Sequence, residues 1–496
     1  MAYIGLDVGT AGCKASVIDE GGNILFYSYR EYSLESPQPG YVEIDARVVW
    51  DAVKQVLRKA AAEKLEVSAL AIASFGEGVV LLDEKDEVIA NSIFYSDIRG
   101  GEEIGDILKR FDAGQIQSVT GMPINPMYSS NKLLWIKKHR PEDYRRARRI
   151  MLFGDFISYM LTGEAAVDYS LASRTQLFDI GKEQWAESIA GPLGIDMGRF
   201  SKPVRAGTPV GRLAKEAVRE TGLPKELLVV AGGHDQAMAA LGAGAVYTGD
   251  SVDGVGSAEC ITLVLGKEDI SGRMYEYNYC CEPFVLPGRY ITLAFNSSSG
   301  TSMKWYRDCI EREKAAEYER EGKNLYRELD EACGREPSPV WFLPHVAGSG
   351  TPHMDAAMGG AFLGLRVSTT KAQMYRAVLE GVCYEMMLNV NLLAECGLDL
   401  KEVIAVGGGS VSDVLMQIKA NIMNREIKTL ASPESGTLGL GLLCGYATGA
   451  YPDIEKAAKE LAAVKKTYVP EAEYAKQYSE KLAIYEKIYP ALKTIF

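Results

Sequence analysis

The sequence predicts an α/β protein of two related domains. Three observations carry that expectation. At 496 residues the chain is too long for one ordinary hydrophobic core. Runs with strand periodicity and runs with helix periodicity follow one another along it. One unusual hairpin also occurs twice. It is first Ile4-Gly5-Leu6-Asp7-Val8-Gly9-Thr10-Ala11-Gly12-Cys13-Lys14, and half a chain later Asp253-Gly254-Val255-Gly256-Ser257-Ala258-Glu259-Cys260. The boundary is expected within 244–252, giving domains 1–246 and 247–496.

Each hairpin joins an apolar strand to a second strand through a small, hydroxyl-bearing turn. Such a turn lets backbone N–H groups and a Thr or Ser hydroxyl approach a phosphate closely. Only the first copy has a carboxylate, Asp7, two residues before its turn glycine. Two phosphate loops and one carboxylate point to a nucleotide held in a cleft between the domains, with a metal on one side.

Composition sets limits. Hydrophobic residues at 47% and charged residues at 24% are those of a globular protein. A net charge of −12 argues against nucleic acid as a partner. The nearest thing to a basic run, Arg145, Arg146, Arg148 and Arg149, follows Pro141-Glu142-Asp143 and reads as a solvated helix face. Met1-Ala2 leads straight into a strand, so no leader is expected. No apolar run reaches the roughly 18 residues of a membrane span. The nine Cys form no C-x-x-C pair and there are only four His, which argues against a zinc cluster. A reduced, cytoplasmic protein with no membrane partner is expected; a homodimer stays open.

In order along the chain, residues 3–32 predict three strands with turns at Gly9-Thr10 and Gly21-Gly22-Asn23. A helix follows, N-capped by Asp45, with Val49, Ala52, Val53, Val56, Leu57 and Ala60 at helical spacing. A strand over Leu70–Ser74 ends in Phe75-Gly76-Glu77-Gly78, and two more fall in 79–83 and 88–93. No G-x-G-x-x-G stands at the first strand–helix turn, which argues against NAD. Residues 102–225 read as mainly helical. A strand over Leu227–Ala231 runs into Gly232-Gly233-His234-Asp235-Gln236 and an Ala-rich helix. Beyond the second hairpin, Lys371–Cys396 predicts a long helix, and the strand Val403–Val406 ends in Gly407-Gly408-Gly409-Ser410.

Several positions can carry chemistry. Asp7, at a strand C-terminus, can hold Mg²⁺ against phosphates; it can equally cap a turn. Lys14 either reaches the phosphates or lies exposed. Asp235 sits at a strand end and a helix N-terminus, where the helix dipole favours its charge. That setting suits a base facing a hydroxyl, and His234 beside it reads as a structural hydrogen-bonder. Glu77 either meets a substrate hydroxyl or caps backbone. The Gly407 turn permits close approach of a flat ring or phosphate, or is simply tight.

The chain resembles the FGGY family of carbohydrate kinases, a branch of the actin/hexokinase-like (ribonuclease H-like) fold. Two family signatures carry the resemblance. One is Met127-Tyr128-Ser129-Ser130-Asn131-Lys132-Leu133-Leu134-Trp135-Ile136-Lys137-Lys138-His139. The other runs from Gly360-Ala361-Phe362-Leu363-Gly364-Leu365 to Gln373-Met374-Tyr375-Arg376-Ala377-Val378-Leu379-Glu380. The resemblance implies ATP and Mg²⁺, with Asp7 at the metal and Gly9, Thr10 and Lys14 as the first phosphate loop. It implies Gly256 and Ser257 as the second loop. Gly300 and Lys304 would lie near the nucleotide, and Gly408, Gly409 and Ser412 on its adenosine side. Asp235 resembles the catalytic base, with Gln236, Gly76, Glu77 and Met127 at a small sugar or polyol. Glycerol kinases have an Arg-Glu pair where this chain has Gly76-Glu77, and xylulokinases usually have Met-His. This chain keeps the Glu and lacks both the Arg and the His. Glu259 resembles fuculokinase-like members.

The expected reaction is ATP-dependent phosphorylation of a sugar or polyol hydroxyl. An actin-like ATP-binding protein and a sugar-sensing pseudo-kinase are the alternatives; Asp235, Gln236 and Glu77 weigh against the first, intact Asp7 and Thr10 against the second.

Overall fold

A computed structural model describes residues 1–432 and 434–495. The chain divides into two compact units. The first comprises Met1–Val246, Cys280–Ile291 and Glu434–Ala462; the second comprises Tyr247–Tyr279, Thr292–Pro433 and Ala463–Phe496. The simple division at 246/247 therefore misses two returns of the chain: the segments at 280–291 and 434–462, both expected in the second half, belong to the first unit.

The first unit is built on a six-stranded sheet. Strands β1 (Ala2–Val8), β2 (Gly12–Asp19) and β3 (Ile24–Glu31) form an antiparallel meander. Asp19 fixes the second turn, accepting from Gly21 and Asn23 N–H at 2.9 and 2.8 Å. Helix α1 (Ala46–Ala62) starts where expected, with Asp45 accepting from Arg47 N–H. Its face of Val49, Val53, Val56 and Leu57 shares a core with Ile4, Leu6 and Val8 of β1. Strand β4 (Val67–Ser74) lies parallel to β1, and β6 (Leu228–His234) lies parallel to β4; β5 (Pro209–Arg212) closes the edge in the order β5-β6-β4-β1-β2-β3. β6 continues past the predicted end at Ala231, because Gly233 and His234 still pair with Ala73 and Ser74.

The register has a consequence for chemistry. Val8 pairs with Ser74, and Ser74 with His234, so the C-terminal ends of β1, β4 and β6 share one edge. Ligands gather at that edge of an open α/β sheet. Between β4 and β6 in sequence short helices, among them α2 (Ser129–His139), alternate with strands of two to four residues and loops, so this stretch is less helical than expected. The strand expected within 88–93 shrinks to Ser92–Ile93. Helix α3 (Asp235–Gly242) follows β6 and crosses the Ser435–Thr448 helix at very close range. A Cβ on Gly242 would strike the Ser435 carbonyl, and one on Gly439 the Met238 carbonyl, so both positions need glycine.

The second unit repeats the opening arrangement. β7 (Asp250–Val255) pairs antiparallel with β8 (Glu259–Gly266) and parallel with β10 (Glu402–Val406), just as β1 pairs with β2 and β4. Gly254 stands between Cys260 and Val406 as Asp7 stands between Lys14 and Ala73. β9 (Arg289–Asn296, from Thr292 on in this unit), β11 (Ile427–Leu430) and β12 (Val464–Tyr468) complete the order β9-β8-β7-β10-β11-β12. Helix α4 (Ser299–Trp305) packs on α5 (Lys371–Glu395), α5 also packs on α6 (Asp413–Met423), and α6 packs on β11 and β12. The α5 N-terminus has a reciprocal capping box, Thr370 with Gln373. α5 is long and apolar enough to cross a bilayer, but 72% of its most apolar window is buried inside the fold, as in a core helix.

Candidate active site

At the sheet edge of the first unit, Asp7 faces Lys14 across the β1–β2 hairpin. Lys14 Nζ lies 3.3 Å from Asp7 Oδ2 and 2.8 Å from Glu434 Oε2. Burial raises the Asp7 carboxyl above the usual range, and Lys14 opposes it. Asp7 Oδ1 is buried with no hydrogen-bond partner, a donor atom suited to a cation. The Gly9-Thr10-Ala11 turn is closed by Gly9 N–H donating to Gly12 O at 2.9 Å, and Tyr32 Oη donates to Gly9 O at 2.6 Å. Gly9 and Thr10 stay half-buried, within reach of a ligand.

Beside it lies a buried run of charges. Glu77 adopts a left-handed backbone, φ 65°, rare for a residue with a side chain and a mark of functional constraint. Arg174 grips its Oε1 with Nε at 2.7 Å and with Nη2. An arginine is thus brought to this strand end from 97 residues away. Gly76 makes room for it: a Cβ there would lie 2.8 Å from Arg174 Cγ. Arg174 Nη1 also reaches Glu282 Oε2 at 3.4 Å. Glu282 Oε1 meets His234 Nδ1 at 3.1 Å, and His234 Nε2 lies 3.3 Å from Asp235 Oδ1. Burial raises the Asp235 carboxyl, and the His234 charge holds it back. Tyr95 is close enough to Glu77 and Asp235 that burial, then their charges, push its phenol up to about 12. Ser129 Oγ donates to the Glu77 carbonyl at 2.6 Å, which ties the start of α2, and Met127 just before it, to the same strand end. Gln236 is the second residue of α3.

The nucleotide candidates of the second unit surround one cavity of about 940 Å³: Gly256, Ser257, Gly300, Lys304, Gly408, Gly409 and Ser412 all line it. Gly300 N–H donates to Gly256 O at 3.0 Å, and a Cβ on Gly300 would lie 2.5 Å from that oxygen. Ser412 caps α6, accepting from Leu415 N–H at 3.1 Å and donating to Asp330 Oδ2 at 2.7 Å. Lys304, largely exposed, pairs with Asp308. Glu259, singled out in sequence as a family departure, is tied inward to Lys419 and to Ser299 Oγ. Among the described residues no group of three or more His, Cys, Asp or Glu is placed to hold a metal ion.

The structure therefore gathers the predicted residues into two sets, one in each unit. Sequence reasoning missed Arg174, Glu282, Tyr95, Glu434 and Asp330. A usable signal existed for two of them: Arg174 and Glu282 are single charges within the otherwise uncharged runs Tyr169–Phe178 and Tyr277–Gly288.

Residues 2–242 match the FGGY family of carbohydrate kinases, N-terminal domain, and residues 255–448 match its C-terminal domain. The chain belongs to the FGGY family of carbohydrate kinases. A xylulose kinase of Staphylococcus epidermidis is 26% identical over 99% of this chain and 97% of its own. The solved xylulose kinase of Lactobacillus acidophilus, with ligand bound, superimposes with a TM-score of 0.89 at 25% identity, over 99% of this chain and 98% of that one. A gluconate kinase of Lactobacillus acidophilus gives 0.88 at 25% identity, over the same shares. The FGGY kinase described here is an ATP-dependent enzyme that phosphorylates a sugar or polyol. These matches favour neither the assembly ATPase nor the pseudo-kinase.

Proposed function

We propose that this kinase moves the γ-phosphoryl group of ATP to a hydroxyl of a neutral sugar or polyol, with Asp235 as the base. The charge count beside Asp235 is the observation that carries the substrate class. Three carboxylates, Glu77, Glu282 and Asp235, face two cationic groups, Arg174 and His234, and each cation is already taken up by carboxylates. Among the described residues no cation is left there to meet a sugar acid. Carboxylates that accept hydrogen bonds suit hydroxyl donors. Arg174 binds only Oε1 of Glu77, so Oε2 can accept from a substrate hydroxyl while the pair fixes its direction.

Phosphoryl transfer passes through a loose transition state, so positioning and neutralisation dominate. Asp235 orients the hydroxyl and takes its proton late, which suits a carboxylate of modest basicity. The second unit's cavity is of a size for a nucleotide; Gly256 N–H closes the turn onto Ala258 O, which leaves the Ser257 N–H and hydroxyl to meet phosphate. The orphaned Asp7 Oδ1 fits Mg²⁺, which would be held mainly by water and phosphate oxygens with Asp7 as its carboxylate. Bound there, Mg²⁺ would supply charge neutralisation for the polyphosphate.

A coupled ADP-release screen over pentuloses, hexuloses, polyols and aldonates tests the reading. Turnover confined to the neutral compounds is expected. An aldonate as the best substrate would overturn the substrate class.

A further inference from the structure

His234 has a carboxylate on each ring nitrogen, Glu282 on Nδ1 and Asp235 on Nε2, at 3.1 and 3.3 Å. A neutral imidazole donates from one nitrogen only, so one of these contacts would set a lone pair against a carboxylate. The imidazolium donates to Glu282 from Nδ1 and sets a positive N–H edge at ion-pair distance beside Asp235. The ring is 5% exposed, and its backbone N–H is held by Ser170 Oγ at 2.9 Å. Ser170 Oγ is in turn held by Asp168 at 2.7 Å. On the far side Glu282 is fixed by Arg174, so it cannot turn away from the ring without leaving a buried charge unpaired.

We propose that Glu282 is a positioning residue for phosphoryl transfer: it holds His234 as an imidazolium whose charge, at ion-pair distance from Asp235, holds that carboxylate in place and keeps it ionised. This rests on Asp235 acting as the base. As the new oxygen–phosphorus bond forms and the bond to the ADP oxygen breaks, the hydroxyl proton goes to Asp235 and then to solvent. His234 keeps its own proton throughout. Burial works against a charged His234, yet Glu282 and then Asp235 outweigh it and carry the ring up to about 9. Arg174 opposes the charge on His234, while Asp7 and Glu77 add to the negative field on Asp235. Asp168, Tyr128, Cys280 and Cys281 are the other titratable groups beside Glu282 among the described residues.

The sign follows. Wild-type turnover is expected to hold through neutral pH and to fall as pH rises through about 9, when His234 loses the proton that faces Asp235. In Glu282→Gln the amide can still accept from Nδ1–H, but the charge is gone, so the alkaline limb moves toward neutrality. The ratio of turnover at pH 8.5 to that at pH 6.5 is then expected to drop about threefold, as it does when the limb lies about one pH unit lower, with the KM for ATP little changed. A loss equal at both pH values, or an alkaline limb that stays in place, would overturn the proposal. Should that variant not fold, ring ¹³C resonances of the wild type decide. With only four His in the chain, one ring still charged above pH 8 is expected, and all four neutral by pH 8 would overturn the proposal. Asp235→Asn separates the two levels. If it keeps full turnover, the base assignment fails; if it loses turnover while Glu282→Gln leaves the limb in place, only the role of Glu282 fails.

Discussion

Lys419 lies at the centre of the second unit with two carboxylates on its ammonium group, Asp253 of β7 and Glu259 of β8, all three side chains fully buried. Ser299 Oγ donates to the other oxygen of Glu259 at 2.5 Å, which ties the start of α4 to the same cluster. The cluster therefore brackets the Gly256-Ser257 turn from both strands. Lys419→Met keeps the length of the side chain and removes the charge, leaving two buried carboxylates against each other. Breaking a buried ion pair from one side costs about 3–5 kcal/mol. For a unit of this size that lowers the melting temperature by about 2–4 °C per kcal/mol, so a loss of about 6–20 °C is expected for the second unit's transition in differential scanning calorimetry. The loss has a pH signature. Burial, and after it the Glu259 charge, raises the Asp253 carboxyl, while Lys419 lowers it; removing Lys419 raises it further. The folded form then binds more protons than the unfolded form between the unfolded carboxylate pKa, about 3.9, and the raised folded value. The variant should accordingly recover stability as pH falls from 8 toward 5. A melting temperature within about 2 °C of wild type at pH 8 would refute the reasoning, since that is less than the smallest cost allows. So would a deficit that does not change with pH.

Three other outcomes are expected. Arg174→Lys keeps a charge but loses the two-pronged grip on Glu77; kcat/KM for the sugar should fall by about 10–100-fold with the KM for ATP within about twofold, measured by steady-state kinetics. Gly300→Val would press a branched side chain on the Gly256 carbonyl; ADP affinity by calorimetry should drop at least about tenfold while sugar binding is unchanged. Ser412→Ala removes the α6 cap and the bond to Asp330, so a loss of about 1 kcal/mol in stability and a weaker nucleotide complex are expected from thermal shift with and without ADP.

What was legible in the sequence was local. The β1–β2 hairpin, its repeat at β7–β8, the Asp45 cap and the Asp235 turn are each set by a few neighbouring residues, and each stands where those residues place it. What was hidden was long-range. Glu77 finds Arg174 at a separation of 97 residues and Arg174 finds Glu282 at 108, distances over which periodicity and turn chemistry carry no information. Glu434 reaches Lys14 because the chain returns to the first unit at 434–462, which no local signal marks. Glu259 is a further case. Its identity resembles fuculokinase-like members, and in the fold the residue answers a buried lysine on α6. A charge in an apolar strand asks first for a partner inside the fold.

In the proposed mechanism catalysis depends most on Asp235. Asp235→Asn preserves the size of the side chain and removes its capacity to take a proton. Single-turnover phosphoryl transfer with saturating ATP and the best neutral substrate from the screen, alongside calorimetric binding of both, measures that directly. Turnover is expected to fall by about 10²–10⁴-fold with both ligands still bound. Transfer within about threefold of wild type would contradict the assignment of Asp235 as the base.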